Sequence, residues 1–441
     1  MDFLKEIKNR ILVYDGSKGY MLQKLGMKGG ECPELWNVEH ADEVRKVYTA
    51  YKEAGADVIQ TNTFQGNRMK LEEYSLGDRT YELNFESAKL AKEIMGKDGF
   101  VAASIGPIGI LFEPSGELTF EKAYETFKEQ VKALVDGGVD IINFETFTDL
   151  AEMRAALIAA KEVANIPVIC SVSFEANGRT LMGQDPYTVA VVLKSLGADM
   201  IGTNCSLGPF HLVDIIKKMN EAGGIPLSVK PNAGLPEVVN GQVIYSESPE
   251  KFASLASEFA MNGARLIGGC CGTTPEHIQA IKATISSLKP SELVKKCGQI
   301  ITSGVKSLNL ENIESVETGE IDLSKDNELL EQLQGNNVDV IIDKAIDLAC
   351  GGYEAIYINV DQAKGNEKLL ADVVNVAQGY IKEPFIIETA DSKALEQALR
   401  LYRGKAGVVV NGYSHETLED LLKVAKKYGS TVVDTVVLKR E

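Results

Sequence analysis

What this chain lacks narrows its chemistry before any motif is considered. No run of about 20 apolar residues occurs, which excludes a membrane-spanning helix. The opening Met-Asp-Phe-Leu-Lys-Glu-Ile-Lys-Asn-Arg has no apolar core of the secretory kind. Basic residues are in deficit, 46 against 63 acidic ones, for a net charge of −17. Such a surface repels phosphate backbones and anionic lipid, so neither a nucleic acid nor a membrane partner is expected. A cytoplasmic location is the default expectation. No Gly-x-Gly-x-x-Gly or Walker-type phosphate loop is present. Cysteine is too sparse for a disulfide framework, seven in 441 residues, and points instead to metal binding or incidental packing.

What is present is an ordinary globular composition, 44% hydrophobic and 25% charged, in a chain long enough for two or three domains. Residues 1–290 read as eight strand–helix units. The expected strands are Ile11–Asp15, Val58–Thr61, Val101–Ser104, Ile141–Glu145, Val168–Ser173, Met200–Asn204, Leu227–Lys230 and Arg265–Gly269. Amphipathic patterns such as Ala41–Glu53, Thr119–Asp136 and Pro249–Asn262 lie between them. A repeated helix exit supports the reading: Gly55-Ala-Asp-Val, Gly137-Gly-Val-Asp, Gly197-Ala-Asp-Met and Gly263-Ala-Arg-Leu. In each a glycine can cap the helix in the left-handed conformation as the chain re-enters the sheet. Eight such units predict an α/β fold, a closed (β/α)8 TIM barrel.

In that fold, active sites form at the C-terminal ends of the strands. The residues expected there are Asp15, Asn62, Glu145, Asn204 with Cys205, Asn232, and Cys270 with Cys271. Three thiolates suit zinc, a borderline-soft ion, and three protein ligands leave one position for substrate or water. The competing reading is that these are small buried apolar residues, since free cysteines often are, and vicinal Cys-Cys is an unusual metal spacing. For each Asn the competing role is turn formation at a loop start; for Asp15 and Glu145 it is a cap or salt bridge.

Several strings resemble one family: Asp15-Gly-x-x-Gly, Thr61-Asn-Thr-Phe64, Ser104-Ile-Gly-Pro107, Asn204-Cys-Ser-Leu-Gly-Pro209, Pro231-Asn-Ala-Gly-Leu-Pro236 and Gly268-Gly-Cys-Cys-Gly-Thr-Thr-Pro275. In order, through residues 10–288, they are similar to the homocysteine S-methyltransferase family, closest to the N-terminal homocysteine-binding module of cobalamin-dependent methionine synthase. The resemblance implies that Cys205, Cys270 and Cys271 are zinc ligands and that homocysteine sulfur takes the open position. A thiol of pKa near 8.5 is mostly protonated at pH 7, and coordination deprotonates it, which readies it to attack an electrophilic methyl group. The substrate ammonium then needs a carboxylate, for which Glu145 is the first choice and Asp15 the second, with Asn62, Asn204 and Asn232 as orienting groups. The four histidines, His40, His211, His277 and His415, fall outside matching ligand positions. His277 reads as helical surface.

Two departures bear on function. Ser17-Lys18-Gly19-Tyr20 follows Asp15-Gly16 where the family has small or apolar residues and Gly-Thr, so Lys18 either pairs with a substrate carboxylate or is a solvated loop charge. Residues 293–316 read as a linker, and 317–441 resemble a shortened pterin-binding barrel of about four units. Gly319-Glu stands where Gly-Glu-Arg-x-Asn is expected, and Ile356-Tyr-Ile-Asn-Val-Asp361 is similar to its Asp-Val-Asn strand. The cobalamin signature Asp-x-His-x-x-Gly is absent. A zinc-dependent enzyme with 1–292 as its catalytic barrel, served in trans by a corrinoid protein carrying the methyl group, is the expectation. The alternatives are an S-methylmethionine or betaine-type donor, a different thiol acceptor, or a non-catalytic partner-binding component.

Overall fold

The structure is a computed structural model; it describes residues 2–113, 115–239, 242–295, 298–311, 315–334, 337, 339–362, 368–434 and 438–440. The chain divides into two compact units, one formed by residues 1–190 and 198–295, the other by 191–197 and 296–441.

In the first unit, buried apolar runs become the parallel strands β1 (Leu12–Val13), β2 (Val58–Gln60), β3 (Phe100–Ile105), β4 (Ile141–Phe147), β5 (Val168–Val172), β6 (Met200–Asn204) and β7 (Leu227–Lys230). After an antiparallel hairpin, β8 (Pro236–Val239) with β9 (Gln242–Tyr245), the eighth parallel strand is β10 (Ala264–Ile267). The sheet order is β1-β10-β7-β6-β5-β4-β3-β2. A parallel bridge between Tyr14 and Val58 joins the two ends, with Asp57 N–H donating to Val13 O at 2.8 Å and Asp15 N–H to Val58 O at 3.0 Å. The barrel expected from the sequence is therefore closed. Its floor is apolar: Leu12, Val58, Phe100, Ile141, Ile169, Met200 and Leu266 form one buried cluster, covered by Phe3 and Ile7 of the helix Phe3–Asn9.

The glycine exits work as read: Gly55, Gly138, Gly197 and Gly263 have φ of 94°, 93°, 88° and 94°, the second exit using Gly138 rather than Gly137. Two local expectations change. The helix expected over 249–262 breaks into Pro249–Ala253 and Ala256–Met261. The β8–β9 hairpin was not foreseen, because its strands follow a barrel strand without the helix that the repeat leads one to expect.

In the second unit, part of the stretch expected as a linker is structured. β11 (Ile300–Thr302) pairs antiparallel with β12 (Ser307–Asn309), and Ile301 enters the unit's buried cluster with Val316, Tyr357, Ile386 and Val409. Five strands follow in chain order, β13 (Val316–Asp322), β14 (Ala355–Asn359), β15 (Phe385–Glu388), β16 (Gly407–Val409) and β17 (Thr431–Val433), before β18 (Leu438–Arg440). They form a parallel sheet in the order β17-β16-β15-β14-β13-β18, a half-barrel. The residue pattern of this segment reads as one strand over Thr431–Leu438 and a helix over Glu367–Ile381; the structure has two strands there, with residues 435–437 outside those described, and a helix Leu369–Ala377, with residue 367 likewise outside.

Candidate active site

The C-terminal ends of β6 and β10 bring the three cysteines together: their Sγ atoms all lie within 4.8 Å of one another, and Cys205 Sγ is 3.8 Å from Cys271 Sγ. A tetrahedral zinc with Zn–S near 2.3 Å would place its sulfurs about 3.8 Å apart, so the donor set and its spacing fit zinc. The backbone holds them there. Cys205 N–H donates to Lys230 O at 3.0 Å, Cys270 N–H to Pro231 O at 2.7 Å, and Cys271 N–H to Asn232 Oδ1 at 3.1 Å. Cys205 itself is left-handed, φ 61°, as are Ser206 at 55° and Thr146 at 66°. Non-glycine residues rarely adopt this conformation, and at Thr146 the side chain of Asn204 braces it. Asn204 Oδ1 accepts from Thr146 N–H and its Nδ2 donates to Thr146 Oγ1, both at 2.8 Å, and Nδ2 also lies 3.8 Å from Cys270 Sγ.

Without a cation, the thiols are poor acids. Cys270 is pushed up to about 12, chiefly by the hydrogen bond it shares with Cys205, with burial adding to it. Cys205, held down by that same bond but raised by Cys271 and by burial, stands at about 11. Three thiols so close cannot ionise together unless a positive ion pays for it. Tyr245, at the end of the β8–β9 hairpin, hydrogen-bonds Cys271 and lies against Gly272, whose φ of 77° and lack of a side chain make room for the ring. His277 is buried, not on the helical surface: its Nδ1 accepts from Thr274 N–H at 3.2 Å as the helix cap and its Nε2 donates to Glu247 O at 3.0 Å.

These cysteines line a cavity of about 390 Å³ whose other walls include Lys18, Glu34, Gln60, Asn62, Glu145 and Lys230. Glu145 is not a free carboxylate. It forms a buried ion pair with Lys230, which is 1% exposed, and accepts from Ser104 Oγ and, at 2.7 Å, from Gln60 Nε2. Burial raises its pKa, but the Lys230 and Lys18 charges, together with the hydrogen bonds from Lys230 and Ser104, outweigh it and hold the carboxyl below its ordinary value. Lys230 also donates to Gln60 Oε1 at 2.7 Å and sits over the Tyr14 ring. Asp15 is fully buried, accepting from Gln60 N–H at 2.8 Å and from Lys18 Nζ at 3.3 Å. Lys18, far from being a solvated loop charge, is 11% exposed in the first turn of the helix Lys18–Lys24, capped by Ser17. Asn62 donates from Nδ2 to Pro33 O at 2.6 Å and to Asn37 Oδ1 at 3.2 Å, which ties the 33–37 segment to the wall. Glu34 within that segment is 2% exposed, with its pKa raised by burial.

Reading the sequence missed Lys230, Gln60, Thr146, Glu34 and Tyr245. Only Lys230 carried a signal in the sequence: a lysine closing an otherwise buried strand requires a partner.

A family model described as homocysteine S-methyltransferase matches residues 12–285. The methionine synthases of Mycobacterium tuberculosis and Mycobacterium leprae are 32% identical over 311 residues and 31% identical over 305. Those alignments cover 66% and 65% of this chain but 26% and 25% of the relatives, so the chain spans about a quarter of their length. The metallated form of the homocysteine methyltransferase MmuM from Escherichia coli superposes with a TM-score of 0.54 at 23% identity, over 63% of this chain and 96% of that one, a likeness of fold. Among the described residues, no helix is long and apolar enough to cross a membrane.

Proposed function

Since the chain belongs to the homocysteine S-methyltransferase family, we propose that it forms methionine by moving a methyl group to the thiol of homocysteine, on zinc held by Cys205, Cys270 and Cys271. The observation that carries this reading is the three Sγ atoms within 4.8 Å of one another on the wall of the barrel cavity. When bound, zinc supplies a soft Lewis acid that keeps an incoming thiol deprotonated at neutral pH. The chain supplies the rest. Asn204 and Asn232 fix the two cysteine loops, while Lys230 with Gln60 neutralises and orients Glu145 on the cavity wall. The cavity confines the substrate while leaving its sulfur accessible to a donor. Confinement of this kind replaces part of the entropy cost of bringing thiol and methyl group together.

The donor in this reading is a methyl-corrinoid carried on another protein in a cytoplasmic setting. Likeness to the methionine synthases supports it. So do exposed apolar side chains that follow the barrel strands: Leu111 after β3, Leu181 after β5 and Leu235 after β7 on loops, and Phe210 in the first turn of the helix Pro209–Glu221 after β6, each 48% exposed or more. We assign the zinc and homocysteine chemistry to the first unit and docking or assembly to the second. The test is methionine formation by the zinc-loaded chain with methylcobalamin, methyltetrahydrofolate and S-methylmethionine in parallel. Turnover with methylcobalamin alone is expected. Turnover with S-methylmethionine alone would replace the corrinoid reading with a stand-alone enzyme, and none with any donor would sink the catalytic reading.

A further inference from the structure

A zinc site that activates a thiol has a selectivity problem of its own making. A thiolate is the nucleophile whichever molecule carries it. Cys205, Cys270 and Cys271 all line the cavity that the substrate would enter, and none of the three is fully buried. A methyl group brought to that cavity therefore meets the chain's own sulfurs as well as the incoming one, and a methylated cysteine is a thioether, lost as a thiolate ligand. Each of these sulfurs has a donor set against it. Asn204 Nδ2 lies 3.8 Å from Cys270 Sγ, the Ser206 N–H donates to Cys205 Sγ, and the Tyr245 hydroxyl donates to Cys271 Sγ. A lone pair engaged in a hydrogen bond is less available for attack, and such bonds are strongest to a charged acceptor.

Two of the donors belong to the cysteine loops themselves, but Tyr245 is brought in from outside. It ends the β8–β9 hairpin, paired across to Pro236. The base of that hairpin is pinned at Glu247, whose N–H donates to Ala233 O at 3.1 Å and whose carbonyl accepts from His277 Nε2 at 3.0 Å. The ring occupies the space that a side chain at Gly272 would take, since a Cβ there would lie 2.2 Å from Tyr245 Cγ. We propose that Tyr245 is a specificity-determining residue, its hydrogen bond holding the Cys271 thiolate back from methylation so that the methyl group goes to the incoming thiol. In the suppressed reaction a Cys271 sulfur lone pair forms the S–CH3 bond while the bond from that carbon to its leaving group breaks, the bonding pair departing with the leaving group. The inference rests on the zinc–thiol reading above and deepens it.

The test uses the zinc-loaded full chain, without homocysteine, and methyl iodide as the probe, so that iodide is the leaving group and the natural donor need not be known. Peptide mass spectrometry locates the methyl groups over time, with the exposed Cys350 as the internal rate reference. Tyr245→Phe keeps the ring against Gly272 and removes only the hydroxyl. It should speed methylation of Cys271 about tenfold relative to Cys350, and leave Cys205 and Cys270 within about twofold of the unaltered chain. Zinc content, measured before the probe is added, should remain about one per chain. An unchanged rate at Cys271 would overturn the proposal, as would an equal rise at all three cysteines, which would report a general loosening of the site. The zinc–thiol reading is checked separately in the same samples. An unaltered chain that takes up no zinc, or a Cys270→Ser variant that takes up as much as the unaltered one, would overturn that reading and this proposal with it.

Discussion

Cys270 stands between two other thiols, half-buried on the cavity wall and hydrogen-bonded to both, so its removal breaks the donor set without opening a large cavity. Cys270→Ser should lower bound zinc from about one per chain to a small fraction and cut methionine formation by at least about 10³, because a serine hydroxyl does not ionise as a ligand at neutral pH. Metal analysis beside the methyl-transfer assay checks both. Lys230 tests a different point. Lys230→Met leaves the Glu145 carboxylate buried and unpaired, and should destabilise the fold by roughly 3–5 kcal/mol at pH 7, read from urea midpoints. The pH dependence has a definite sign. The folded Glu145 pKa lies below its ordinary value, so the ion pair stabilises at neutral pH and the gain disappears as pH falls below about 4.3 and through the folded value. The deficit of the variant should therefore shrink in acid.

At the scale of elements, the site depends on loops that helices hold from behind. The loop after β3 is anchored where Ile108 N–H donates to Glu152 Oε1 at 2.6 Å, the carboxyl lying within the buried face of the helix Leu150–Val163. Burial pushes Glu152 up to about 8. A carboxyl whose folded pKa is raised takes up a proton on folding, so stability falls as pH rises from about 4.3 towards 8. Glu152→Gln keeps the acceptor and abolishes the titration. Between pH 5 and pH 8 the variant should gain at least about 1 kcal/mol over the unaltered chain, seen as diverging urea midpoints. Parallel curves would mean that the carboxyl is hydrated instead. The β8–β9 hairpin illustrates how an element escapes local reading: it delivers Tyr245 to Cys271 and Gly272, a contact between residues whose proximity no hydrophobic period encodes.

On the scale of the whole molecule, the barrel has a complete floor, a closed sheet and the full set of cysteines, whereas the second unit is a half-barrel with edge strands β17 and β18. If the second unit serves docking, a chain of residues 1–295 should keep about one zinc and turn over free methylcobalamin within about threefold of the full chain. Its KM for a protein-borne methyl-corrinoid should rise at least about tenfold, the loss of one modest contact set. Steady-state kinetics with the two donors separate the outcomes, and an equal loss with both would contradict a docking role.

The barrel and its three sulfur donors were legible in the chain itself. Buried strands are short apolar runs, their helix exits need glycine, and chemistry gathers at strand ends, so residues far apart in sequence could be assigned to one site from local pattern alone. What the tertiary structure alone decided is the electrostatic state of that site. Glu145 and Lys230 are 85 positions apart and Asp15 and Gln60 are 45 apart, yet the fold brings each pair into direct contact. Charge state depends on desolvation and on the nearest opposite charge, and neither is a property of a residue's neighbours along the chain.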